Sequence, residues 1–316
     1  MNDRQPNALM LQHNRQRRKI SDKIWRALFL ISCVLSALMI VLIIIFIAVK
    51  GIRVFLPGYE YGQQNFWDFL TGMTWRQDSK TYGVGFIVIN TFTTAAFAAL
   101  LSFPVATLTA LFIVKIAPER LRVAFTTVIE LLAAIPSVVY GVFASGAITK
   151  LVQQLAAFFG QTSAAGISAL SVILLLAIMI FPTICSMAIV AIQAVGKSLE
   201  WGSLALGASQ TQTNFKVVLS AAKSGIFAGL VLGLGRAFGE ATAVTMVAGN
   251  AMSGPSWNLF DTTRTLTTTM LSGMHETSGL DYDIRFSAGL VLMAVILLTN
   301  ALIHLIKRKI GGVDHE

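Results

Sequence analysis

The chain has 316 residues, of which 55% are hydrophobic and only 12% charged, with a formal net charge of +9 and a mean hydropathy of +0.72. Soluble domains carry about 25% charged residues, and the apolar residues here come in runs long enough to cross a hydrocarbon core roughly 30 Å thick. These figures exclude a cytosolic enzyme, a disulfide-stapled secreted domain and a disordered regulator, and predict an all-α integral membrane protein.

The chain opens on a basic tail, residues 1–24, that holds Arg15, Arg17, Arg18 and Lys19. A first span is expected from about Trp25 to Val49. It is too long for the apolar core of a signal peptide, so it predicts an uncleaved helix with its N-terminus in the cytoplasm. The polar stretch from Lys50 to Tyr82 has room for a small outer helix or loop. The second span, about Gly83 to Val114, contains Pro104 and ends on the basic turn Lys115–Arg122. The third, about Val123 to Ile148, carries Glu130 and Pro136; the fourth, about Ile167 to Ile192, carries Pro182. A moderately polar stretch, residues 193–223, precedes the fifth span, about Ser224 to Gly249. An outer segment rich in Thr, Ser and Gly leads to the sixth, about Phe286 to Ile306, and a short tail, residues 307–316, closes the chain. Six spans put both termini on one side. With both in the cytoplasm, the inner segments hold 16 Lys/Arg against 6 Asp/Glu and the outer ones 7 against 7. That asymmetry is the positive-inside rule, which makes the basic excess an orientation signal rather than a nucleic-acid surface.

Cys33 and Cys185 lie in separate apolar runs, and the four histidines share no ligand spacing. Neither a metal site nor a cofactor is expected. Mid-span prolines each remove a backbone hydrogen bond, which membrane helices tolerate where neighbours satisfy the freed carbonyl. Pro104 and Pro182 read as packing kinks, whereas a break at Pro136-Ser137 could expose a hydroxyl and backbone dipoles. Glu130, near the cytoplasmic end of its span, reads either as an interfacial anchor or as a pathway group.

The fifth span is the most informative. Gly225, Gly229, Gly233, Ala237 and Ala241 recur every fourth residue and form a small-residue stripe suited to close helix packing. Arg236 and Glu240 lie four residues apart near its middle. An arginine at the bilayer centre costs about 2.5–3.5 kcal/mol on insertion scales, so it must face a partner or a water-filled cavity. Two readings are open: an intrahelical ion pair, or a site on a substrate path where the guanidinium fork meets a tetrahedral oxyanion. Residues 193–223 predict a cytoplasmic helix–turn–helix, with Leu204-Ala205-Leu206-Gly207-Ala208-Ser209 supplying a short helix and a glycine break. A surface with so few charges suggests docking to a partner. The chain has no G-x-x-x-x-G-K-[ST] phosphate loop, so any ATPase would be a separate chain. A secondary transporter would need its own coupling and usually an internal repeat, and the two halves show no convincing similarity.

Two stretches, Glu130-Leu-Leu-Ala-Ala-Ile-Pro-Ser-Val-Val-Tyr-Gly141 and Gly233-Leu-Gly-Arg-Ala-Phe-Gly-Glu-Ala-Thr-Ala-Val244, resemble the permease subunits of bacterial phosphate ABC transporters, nearer the C-type than the A-type. The resemblance runs in order from about the second span to the sixth. It implies a type I ABC permease fold and a multi-pass protein of the bacterial cell membrane. It also implies a second homologous permease of the A type, two ATP-binding subunits and an extracytoplasmic phosphate-binding protein as partners. Arg236 and Glu240 then resemble the charged pair associated with phosphate passage, and Pro136-Ser137 lies in the other shared motif. The loop at residues 193–223 resembles the one by which such permeases dock their ATPases. Gly207 and Leu219 match that pattern, but the family glutamate falls on Trp201, with Glu200 one residue early, and the family proline is Ser220. The resemblance leaves room for another oxyanion, such as sulfate or molybdate.

Overall fold

The protein is described here by a computed structural model covering residues 8–310. Residues 1–7 and 311–316, the ends of the two predicted tails, lie outside the described residues, as do the side chains of Arg15, Arg17, Arg18, Lys19, Lys307, Arg308 and Lys309. The chain divides into two compact units, Met1–Lys50 and Gly51–Glu316. The first is helical: it is the greater part of α1 (Ala8–Arg53), whose apolar stretch contains the predicted first span.

In the second unit, a short helix α2 (Phe66–Thr71) and a hairpin of β1 (Trp75–Arg76) and β2 (Thr81–Tyr82) precede α3 (Gly85–Leu111). Then come α4 (Glu119–Ala134), α5 (Ser137–Phe143), α6 (Thr149–Phe158) and α7 (Ala169–Gln193). The chain continues through α8 (Lys197–Ala205), α9 (Gln210–Gln212), α10 (Leu219–Gly239) and α11 (Thr242–Ala248), and ends with α12 (Leu266–Leu271) and α13 (Leu280–Ile310). Widened π turns at Ala144–Ile148 and Thr213–Val218 join α5 to α6 and α9 to α10 without a break, and a third at Phe112–Ile116 ends α3 before the extended Ala117-Pro118 that leads to α4. Among the described residues five helices are long and apolar enough to cross a membrane, or six if the pair bent by 93° between Ala134 and Ser137 is one broken span.

Helix α7 is the centre of the core, with α3 on one side and α10 on the other. The face that α3 buries is small: Ala95, Ala98, Ala99, Ser102, Ala106 and Ala110. Helix α7 brings larger buried side chains to the same cluster, among them Leu175, Leu176 and Met179. On α10 the glycine stripe meets the other side of α7. A Cβ built on Gly225 would lie 2.5 Å from the Ala191 Cβ, one on Gly229 2.9 Å from the Met187 Cβ, and one on Gly233 2.8 Å from Ile184 Cγ1. Association in lipid rests on such close van der Waals contact, since tails are as apolar as leucine. Helices α3 and α7 run unbroken through Pro104 and Pro182.

Three spans differ from their predicted form. The third breaks into α4 and α5 at Pro136, where Ile135 leaves the helical region that a following proline disfavours and sits at φ −64°, ψ 126°. The fifth is not a helix through Gly249. It ends at Gly239, and Glu240 turns extended at φ −75°, ψ 118° before α11 begins, so Ala241 leaves the small-residue stripe. The sixth starts at Leu280 rather than Phe286, with Asp281 and Asp283 in its first turn, where carboxylates suit the helix dipole. Arg285, expected at the outer edge of that span, is therefore inside the helix and buried.

Two ends of this unit are built differently. At one, Lys115 pairs with Glu200, and Arg122 donates to the Ile113 carbonyl, so α8 is tied to the α3–α4 turn. At the other, loops are stitched to helix starts. Ser168 and Ala169 donate to Val247 and Asp261, Leu266 N–H donates to the Thr91 hydroxyl, and Tyr82 donates to the Asp281 carboxylate. The Tyr59 hydroxyl donates to Asp283 at 2.8 Å. Burial, with that carboxylate adding to it, holds the phenol protonated well above its usual range.

Candidate functional site

Two helix breaks lie side by side. Helix α5 packs on α11 at Gly141, where an added Cβ would be 2.6 Å from Met246 Sδ and 2.9 Å from Ala243 Cα. Only a glycine lets the two short segments meet this closely. On the α4–α5 side, Pro136 has no N–H to give and Ser137 begins the new helix. Tyr140, buried one turn later, donates its hydroxyl to the Leu132 carbonyl at 2.8 Å and so fastens the bend. On the α10–α11 side, the Glu240 carboxylate accepts from the Ala243 N–H at 3.0 Å and caps α11. The Glu240 carbonyl accepts from the Thr267 hydroxyl of α12 at 2.8 Å.

Arg236 sits one turn before this second break. Its Nη1 donates to Thr183 Oγ1 of α7 at 3.2 Å. Among the described residues no carboxylate lies within 4.0 Å of its guanidinium. The intrahelical pairing with Glu240, one of the two sequence readings, is absent: the helix ends between the two residues, and Glu240 spends a carboxylate oxygen on a main-chain N–H. A guanidinium has five N–H donors, and Arg236 commits one of them to a neutral hydroxyl. The group is half-buried, and its other donors have no hydrogen-bond partner among the described residues.

The other sequence-predicted residues fall in separate places. Glu130 is exposed in the last turn-and-a-half of α4 and Pro136 is exposed at the elbow, with Ser137 half-buried beside it. Glu200, Trp201, Gly207 and Ala208 belong to α8 and the turn after it, remote along the chain from the elbow. Gly207 takes φ +86°, a left-handed conformation that ends α8, and Ser209 opens the next helix with a capping box to Gln212. Leu206 and Trp201 project from this turn, 91% and 67% exposed. Glu200 faces the other way, to Lys115. Sequence reasoning did not single out Thr183, Tyr140 or Thr267. All three are ordinary residues in a helix sequence, and only the fold brings them to the charged pair. Among the described residues no group of three or more His, Cys, Asp or Glu could hold a metal ion.

Comparison with known proteins gives a consistent picture. The family described as "binding-protein-dependent transport system inner membrane component" matches residues 102–312. The chain is 37% identical over 294 residues to a probable ABC transporter permease, YqgH, of Bacillus subtilis (strain 168), covering 92% of each chain. It is 32% identical over 261 residues to the phosphate transport system permease protein PstC of Pasteurella multocida (strain Pm70), covering 77% of this chain and 81% of that one. Among solved structures, a chain of a bacterial alginate ABC transporter in complex with its alginate-bound periplasmic protein superposes with a TM-score of 0.63 at 18% identity, over 93% of this chain and 99% of that one. That likeness concerns the fold.

Proposed function

Because the chain belongs to the binding-protein-dependent transport system inner membrane component family, we propose that it is the permease subunit of an ATP-driven importer and forms half of the translocation path for inorganic phosphate. It is a multi-pass cell-membrane protein and a transport subunit rather than an enzyme. The reading of phosphate as cargo draws on the PstC relatives. The observation that carries it is Arg236: a guanidinium inside an apolar helix, held by a threonine hydroxyl and by no carboxylate among the described residues, beside two helix breaks.

Phosphate is doubly suited to that position. Its oxygens accept from the planar guanidinium fork, and its charge offsets the cost of carrying an arginine into the membrane. Glu240, anchored by its bonds to α11 and α12, stands four residues away and lowers the net positive charge, which keeps the anion from binding too tightly to leave. Pro136-Ser137 and Glu130 belong to the same path in this reading.

The partners follow from the same reading: an A-type permease on the open side of the path, two ATP-binding subunits and an extracytoplasmic phosphate-binding protein. Both tails, residues 1–24 and 307–316, are cytoplasmic. So is the coupling loop, residues 193–223, whose exposed Leu206 and Trp201 offer an apolar knob to an ATP-binding subunit. Because Glu200 is spent on Lys115, docking there rests on shape and apolar contact rather than on a charge.

The test is uptake of labelled phosphate by the co-expressed complex in proteoliposomes, with sulfate as competitor. Uptake that needs ATP and the binding protein, and that excess sulfate leaves intact, is expected. Equal competition by sulfate would reassign the cargo, and ATP-independent uptake by the purified chain alone would overturn the importer reading.

A further inference from the structure

Two further arginines, Arg264 and Arg285, lie beyond α11. Gly249 pairs with Thr263 in a parallel bridge, which places Asn250 beside Arg264 at the start of α12. Arg264 donates from Nη2 to the Asn250 main-chain carbonyl at 3.0 Å. Its Nε is buried and has no hydrogen-bond partner among the described residues. No carboxylate lies within 4.0 Å of it among those residues. The Asn250 carboxamide approaches the Ser272 hydroxyl at 3.3 Å, and its other polar atom is buried without a partner. A carboxamide can rotate end for end, so this group can turn either an acceptor or a donor toward its surroundings.

Arg285 stands close by and shows what a purely structural arginine does in this fold. It donates from Nε to the Asp281 carbonyl and from Nη1 to the carbonyls of Thr269 and Ser272, so main-chain oxygens hold it on three sides. Arg264 spends one donor in that way. Burial, and then the charge of Arg285, push the Arg264 guanidinium down to about 10.

The two charged places are connected. Helix α11 leads from Glu240 to Asn250, with Thr242 exposed and Thr245 half-exposed, while Met246 meets α5 at Gly141. Its seven residues span about 10 Å at 1.5 Å per residue. On the other side, Thr267, three residues after Arg264, holds the Glu240 carbonyl.

We propose that Arg264, with the Asn250 carboxamide and the Ser272 hydroxyl, is a second anion-coordinating station for a tetrahedral oxyanion, separated from Arg236 by the length of α11. This rests on the importer reading and adds to it a relay: an anion passes from one guanidinium to the other along the exposed face of α11, and neither site has to bind tightly. A phosphate group could also reach Arg264 as a lipid headgroup, and the experiment separates the two sources.

The experiment measures maximal ATP-driven phosphate uptake by the reconstituted complex at saturating loaded binding protein, with co-elution of the subunits as the measure of assembly. Arg264→Gln keeps a donor for the Asn250 carbonyl but loses the charge; Arg264→Lys keeps the charge. Asn250→Asp is isosteric, leaves the main-chain carbonyl in place and adds a negative charge to the cluster. The expected result is a loss of about tenfold or more for Arg264→Gln and for Asn250→Asp, and of no more than about threefold for Arg264→Lys. Uptake at the wild-type rate in Arg264→Gln overturns the proposal. So does equal impairment of the Gln and Lys variants with Asn250→Asp unaffected, which is the pattern of a loop brace. If Arg264→Gln fails to assemble, Asn250→Asp decides: a wild-type rate there is again fatal. The assay is run in phosphatidylcholine vesicles with and without phosphatidylglycerol. The same ratio of variant to wild type in both supports the cargo, and a ratio that returns to one without the anionic lipid assigns the cluster to headgroups and overturns it. Failure of the wild-type complex to move phosphate at all would refute the importer reading itself, a different outcome from any of these.

Discussion

Lys115 and Arg236 are both cations withdrawn from water, and the fold completes only one of them. Lys115, at the end of the π turn after α3, meets the Glu200 carboxylate of α8, with the two side chains 13% and 15% exposed. Arg236, inside α10, has a threonine hydroxyl for a partner and no carboxylate among the described residues. A closed pair is a brace: it fixes where α8 stands relative to the bundle. An open cation in an apolar helix is costly unless a passing anion or a water-filled path meets it. The contrast separates a part that holds the machine together from a part that handles its cargo.

Opening the contrast from the Arg236 side has the largest expected effect. Arg236→Gln should lower phosphate uptake by about 100-fold or more, the scale of removing one preorganised charged donor, while the complex still co-elutes. On the Lys115 side the loss should appear in stability instead. Lys115→Met strands the Glu200 carboxylate and should cost about 2–3 kcal/mol in thermal unfolding of the purified complex, between the surface and fully buried values for a broken pair. The double change Lys115→Met with Glu200→Leu should recover most of it, since a well-packed apolar pair can replace an ion pair.

The α7–α10 seam that positions Arg236 gives a smaller effect. Gly229→Ala places a methyl 2.9 Å from the Met187 Cβ. It should cost about 1–2 kcal/mol by overpacking, read as a lowered unfolding midpoint. The smallest effect is expected at the elbow. Tyr140→Phe removes one hydrogen bond to the Leu132 carbonyl and should cost about 1 kcal/mol in the same unfolding experiment.

Much of this arrangement can be read in the sequence, because the bilayer imposes simple rules. Run length marks the spans, the glycine spacing marks the α7-facing stripe of α10, and a proline with a known steric effect marks the α4–α5 elbow. The break at Glu240 carries no such mark. Its cause is tertiary: the Glu240 carboxylate is drawn to the Ala243 N–H and its carbonyl to Thr267, partners that a helix continuing to Gly249 would not have offered. The alanine face of α3 was hidden for a related reason. In a span that is apolar all round, periodicity does not say which face is buried. Arg264 and Arg285 were legible only as charges outside the spans, and the sequence has no signal that one would be held by one main-chain carbonyl and the other by three.

The most direct measurement compares initial rates of ATP-driven phosphate uptake in Arg236→Gln and Thr183→Val complexes reconstituted in parallel. Thr183 is the hydrogen-bond partner of Arg236, so losing its hydroxyl breaks any structural link as surely as losing the guanidinium. If Arg236 serves the anion, Thr183→Val keeps uptake within about tenfold of wild type while Arg236→Gln falls to background. Equal loss in both variants would make Arg236 a brace to α7 and contradict its place on the phosphate path.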